Sequence, residues 1–133
     1  MLKVRIYSFS YLHGGIPADD SGNGGGFVFD CRFVTNPGKF DEYKNKTGKD
    51  FEVKFFLETQ TEMNEFLNNI YLITDKAVKK YAERDFTDLM VAFGCTGGQH
   101  RSVVVANELG QYLSSRGSNV AVEHRDIDNR RSA

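Results

Sequence analysis

With only two cysteines in 133 residues, Cys31 and Cys95, and no paired metal-ligand spacing between them, the chain reads as a reduced, intracellular protein. Neither a metal nor any other cofactor is expected. Net charge is −1, so bulk electrostatics call for neither nucleic acid nor membrane, and any RNA contact must come from a local patch. No apolar run approaches membrane-spanning length, and Met1 to Arg5 opens directly on strand-like alternation where a signal peptide would show a long apolar stretch. The glycine-rich stretches lack the Gly-Lys-Ser/Thr of a Walker A loop and the Gly-x-Gly-x-x-Gly of a dinucleotide fold. A hydrophobic share of 40% with 26% charged residues is that of a soluble globular protein, and 1–133 is expected to form one cytoplasmic domain with a real core.

What the chain does contain centres on residues 89 to 102. Leu89 to Phe93 is an apolar run of strand length, and from Ser102 apolar residues recur at helical spacing. Between them, Gly94, Gly97 and Gly98 allow positive φ and can turn amide N–H groups toward one point. The following helix brings the positive end of its dipole, with His100 and Arg101 at its mouth. That is chemistry for an anion, most plausibly a phosphate.

Residues 2 to 11 alternate as a first strand, and the glycine cluster at 22–26 precedes a strand and so reads as a connector. Phe27 to Phe33 reads as a second strand with Phe27, Phe29, Cys31 and Phe33 on one face and Val28, Asp30 and Arg32 on the other. The mixed charges of 39–54 suggest a solvated loop. Thr59 to Glu62 has the spacing of a capping box, followed by a long amphipathic helix through Met63, Phe66, Leu67, Ile70, Tyr71, Ala77, Val78 and Tyr81. A second helix from about Ser102 to Arg116 buries Val105, Ala106, Leu109 and Leu113 and stops at Gly117. Asn119 to Arg125 is a last strand. The fold class is therefore α/β, a mainly parallel sheet of about four strands with flanking helices, Rossmann-like in two or three layers. Ligands bind such sheets beyond the carboxyl ends of the strands, where Cys95 to Arg101 lies. Asp30, Arg32, Asn36, His124 and Arg125 could converge there from neighbouring strands.

Phe29 to Phe33, Asn36-Pro37, Thr47-Gly48, His124 to Asp126 and above all Gly94-Cys-Thr-Gly-Gly-Gln-His-Arg-Ser-Val103 resemble the C-terminal domain of the RNase adapter RapZ family. The resemblance implies a bacterial cytoplasmic regulator that binds small RNA and an amino-sugar phosphate and forms oligomers. It further implies that Asp30, Thr96, Gly97, His100 and Arg101 line the anion pocket with Cys95 at its edge, Gly98 and Ser102 completing the loop. Arg101 would fork two phosphate oxygens, His100 would donate when protonated, Thr96 would add a hydroxyl, and Asp30 would accept from an amine. Arg130 and Arg131 are the basic residues left for RNA. Family members carry a P-loop domain ahead of this one, and a chain opening so close to its first strand is what a domain excised from a longer protein would show.

Two other classes compete. Cys95-x-x-Gly98-x-x-Arg101-Ser102 also fits the cysteine phosphatase signature, with Cys95 as nucleophile, Arg101 as oxyanion clamp and Asp30 or Asp126 as general acid. A structural module would bind every small anion equally and weakly.

Overall fold

A computed structural model describes residues 1–128. The strands β1 (Lys3–Ser10), β2 (Phe27–Asp30), β3 (Asp88–Cys95) and β4 (Asn119–His124) form one sheet in the order β2-β3-β1-β4, with every pairing parallel. Parallel neighbours require crossovers, and the chain supplies them with α2 (Phe51–Gln60), α3 (Met63–Glu83) and α4 (Arg101–Ser115), after a short α1 (Asp41–Lys44). The α/β class read from the sequence is thus the observed one. Among the described residues, no helix is long and apolar enough to cross a membrane.

Alternation along β1 and β3 decides the layers. Val4, Ile6, Leu89, Val91 and Phe93 share a face that packs with Val53 and Leu57 of α2, Met63, Leu67 and Ile70 of α3, and Val105, Leu109 and Leu113 of α4 in one buried cluster. The opposite face carries a small cluster of Phe9, Met90 and Ala92 with Tyr7 and Tyr11. Across that side runs the connection from β1 to β2, where Asp19 and Asp88 both pair with Arg5 and Asn23 donates to the Asp88 carbonyl. The result is the two-layer form, helices on one face and an irregular segment on the other. This arrangement sends the chain leaving β1 one way and the chain leaving β3 the other way. In α/β sheets such a parting of neighbouring chains at the carboxyl ends of the strands is the switch point at which ligands bind.

Several sequence-based expectations are revised. β2 stops at Asp30: the Cys31 amide still donates to the Gly94 carbonyl (2.8 Å), but a turn follows, and Phe33 is 61% exposed, edge-on to Phe66, instead of lying on the strand face. Segment 39–54 is not a loop throughout, since it holds the end of a 3₁₀ turn (Pro37–Lys39), α1 and the first turn of α2. The capping box does not form. Thr59 lies in the last turn of α2 and donates to the Phe55 carbonyl, Glu62 accepts from the Thr35 amide, and it is the Thr61 hydroxyl that accepts from the Met63 amide. Gly94 belongs to β3, where an added Cβ would come within 2.5 Å of the Phe9 and Tyr11 rings.

Candidate anion-binding site

The last pair of the β1–β3 ladder is Ser10 with Cys95, and the loop Thr96 to His100 leaves from there to enter α4 at Arg101. Four residues outside the loop hold it: Ser10, Gly48, Asp126 and Asp128. Ser10 Oγ donates to the Thr96 carbonyl (2.6 Å), and the Gly48 amide donates to the Gln99 carbonyl (2.7 Å). The Gln99 side-chain amide donates to the carbonyls of Gly97 (3.1 Å) and Asp126 (2.9 Å), while its oxygen accepts from the Asp128 amide (2.9 Å). Gly98 turns the chain with φ +71°, and a Cβ there would press to 3.1 Å on Asp126 and Ser10. Only glycine suits both demands.

The N-cap residue of α4 is His100, whose side chain makes no capping bond to the helix. The first-turn amides of α4 lack intrahelical partners and carry the positive end of the dipole. His100 is mostly buried, and its Nε2–H donates to the Tyr43 carbonyl at 3.0 Å. Arg101, expected at the pocket mouth, is instead only 4% exposed. Its Nη1 donates to the carbonyls of Arg32 (2.7 Å) and Val34 (2.9 Å), and its Nη2 lies 3.4 Å from the Thr96 hydroxyl. Its Nε is buried without a hydrogen-bond partner among the described residues. A fixed charge with one unmet donor thus sits under the first turn of α4.

Asp30 ends β2 on the same rim. Arg32 holds its carboxyl below the usual carboxylate range by hydrogen bonding, with the Arg101 charge adding to the effect and partial burial opposing it. The Arg32 guanidinium lies 4.0 Å above the Tyr11 ring. These residues lie at the ends of three neighbouring strands, β2, β3 and β1.

Other candidates lie elsewhere or are already engaged. Asn36 Oδ1 accepts from the Gly38 amide (2.9 Å) and opens the 3₁₀ turn. His124 accepts from the Ser8 hydroxyl at Nδ1 (2.6 Å) and donates from Nε2 to Asn107 (2.9 Å), and burial pushes its pKa down. Cys95 is 2% exposed, part of the core cluster, with its sulfur 3.1 Å from the Ser102 hydroxyl. Asp126, considered as a general acid, is a buried acceptor for the Ser10 amide (2.7 Å) and Arg125 Nη2 (2.8 Å). Arg125 also reaches the His13 carbonyl (3.3 Å). Arg130 and Arg131 lie outside the described residues. Sequence reasoning missed the parts played by Ser10 and Tyr11, which only the strand order brings to the loop, and the bonds that Gln99 makes from within the loop to the segment after β4.

The model of the RapZ C-terminal domain matches residues 2–128, the loop included. The chain belongs to that family. Among its relatives, a nucleotide-binding protein of Fervidobacterium nodosum is 42% identical over 125 residues, covering 94% of this chain and 42% of the relative. Nucleotide-binding proteins of Thermotoga neapolitana and Thermosipho melanesiensis are 38% and 41% identical, covering 96% and 94% of this chain and 43% and 42% of the relatives. This RapZ C-terminal domain therefore spans less than half the length of the curated relatives it matches.

Proposed function

We propose that this RapZ C-terminal domain is a cytoplasmic regulatory module that binds a phosphorylated small molecule, of the amino-sugar phosphate class, at the loop from Cys95 to Ser102. The phosphate takes the first-turn amides of α4, the Thr96 hydroxyl and the charge of Arg101, and the amine takes Asp30. What carries this reading is the buried Arg101 Nε, which has no hydrogen-bond partner among the described residues and lies in the first turn of a helix whose N-cap side chain makes no capping bond. A buried donor without a partner is costly, and an arriving phosphate oxygen relieves that cost while gaining a charge-assisted bond. The relatives' name, nucleotide-binding protein, concerns another phosphate-bearing ligand, and the comparisons leave more than half of each relative outside the match. Thiolate catalysis is not part of the proposal, because the Cys95 sulfur lies in the core beside Ser102.

Calorimetric titration with glucosamine-6-phosphate, with fructose-6-phosphate and inorganic phosphate as competitors, tests the reading. Selective binding is expected, weakened about tenfold to a hundredfold in Thr96→Val, the range for a hydrogen bond to a charged group. Equal, weak binding of all three anions would reduce the loop to an unselective anion trap and reject the assignment.

A further inference from the structure

Asp30 is already engaged within the protein. The turn after β2 carries Arg32 back onto it: the Arg32 amide donates to Oδ1 (2.9 Å), Nε reaches Oδ1 (2.9 Å) and Oδ2 (3.1 Å), and Nη2 reaches Oδ2 (2.8 Å). One residue therefore supplies partners to both carboxylate oxygens. The guanidinium is stacked on Tyr11 at 4.0 Å, and the Arg32 carbonyl is pinned by Arg101 Nη1 at 2.7 Å. The main chain is thus anchored to the start of α4. The side chain is not: Arg32 and Asp30 are 48% and 47% exposed.

We propose that Arg32 is a specificity-determining residue, an internal cation that occupies Asp30 and yields it only to a ligand whose own ammonium replaces the guanidinium. The proposal rests on the reading that the loop binds a phosphate and Asp30 an amine. Half-exposed ion pairs are weak, so the seat can be vacated; the Tyr11 ring gives the guanidinium a place to stay when it is. A phosphate ester with a hydroxyl where the amine would be has nothing to exchange for Arg32. Such a ligand leaves the pair closed and binds at the loop alone. Arg32 therefore sets how strongly the site prefers an amino sugar phosphate to its hydroxyl counterpart, because the ligand's ammonium gains only its advantage over the guanidinium it displaces.

The test is calorimetry with glucosamine-6-phosphate and glucose-6-phosphate on the wild type, Arg32→Ala, Arg32→Gln and Asp30→Asn, reading the ratio of the two dissociation constants. Both Arg32 variants are expected to raise the preference for the amine by about threefold to fivefold, the scale of an exposed ion pair, through tighter binding of the amino sugar. Asp30→Asn should abolish the preference. Thermal melting of each variant checks that the fold is kept, and Arg32→Gln preserves most of the side-chain bulk over Tyr11. An unchanged ratio in both Arg32 variants, or a wild-type ratio in Asp30→Asn, overturns the proposal while leaving the phosphate loop in place. Failure of the wild type to bind either sugar phosphate is a separate result, which rejects the loop assignment and the role of Arg32 with it.

Discussion

Arg101 spends much of its charge inside the molecule. By donating to the carbonyls of Arg32 and Val34, it ties the turn after β2 to the start of α4, so a side chain expected at the pocket mouth also holds that turn against the helix. Arg101→Ala would consequently confound binding with folding, since it strands two carbonyls and opens a cavity. Arg101→Met keeps the bulk, and we expect it to lower stability by about 2–3 kcal/mol, the scale of lost hydrogen bonds to a charged group, as read by urea unfolding. A change below about 0.5 kcal/mol, the range of ordinary surface substitutions, would mean that the bonds to the turn contribute little. Gly98 makes a sharper demand on the same loop. Gly98→Ala meets both a φ of +71° and contacts at 3.1 Å, so a cost of about 1–3 kcal/mol is expected together with weakened anion binding.

At the scale of elements, the legible parts were those whose burial follows from one period. The stripe from Met63 to Tyr81 packs on or in the core as its spacing requires, and Leu89 to Phe93 lies in the central strand. α2 escaped notice because its apolar residues point both ways: Val53 and Leu57 are buried at i, i+4, whereas Phe51 and Phe55 are 69% and 55% exposed, their rings 5.7 Å apart. With apolar residues on both sides, the stripe was hidden among mixed charges. The false capping box has a related cause, since Thr59 to Glu62 spans the junction between two helices, and its groups bond to α2 and to Thr35. Substitution separates the two faces of α2. Leu57→Ala should cost about 2–5 kcal/mol in chemical denaturation, and Phe55→Ser should stay within about 1 kcal/mol, since its ring is already largely in water. Similar losses from both would mean that the exposed face is covered in solution.

At the scale of the whole molecule, the loop was legible because Cys95 to Ser102 is contiguous, while its supports were not, because Ser10 and Asp126 reach it only through the strand order β2-β3-β1-β4. The same order sets two acid-sensitive points at opposite ends of the sheet. Asp19, beside the start of β1, has its carboxyl lowered to about 2, chiefly by the Ser21 amide, then by the Ser21 hydroxyl, Arg5 and the Gly25 amide, against the cost of burial. Its folded value lies below the unfolded one near 3.9, so its contribution is complete above about pH 4 and is lost as pH falls toward 2. His124, at the end of β4, is kept neutral by burial, with the nearby charge of Lys49 acting the same way. The unfolded chain takes up that proton near pH 6.5, so this contribution is present above about 6.5 and declines as pH falls below it. Both signs agree, and the melting temperature should decline on acidification in two separate steps. Asp19→Asn should remove the lower step and leave the upper, and His124→Gln should do the reverse. A His124→Gln profile parallel to the wild type between pH 7 and 5 would show that the bonds of His124 to Ser8 and Asn107 do not couple its protonation to the closure of α4 on the sheet.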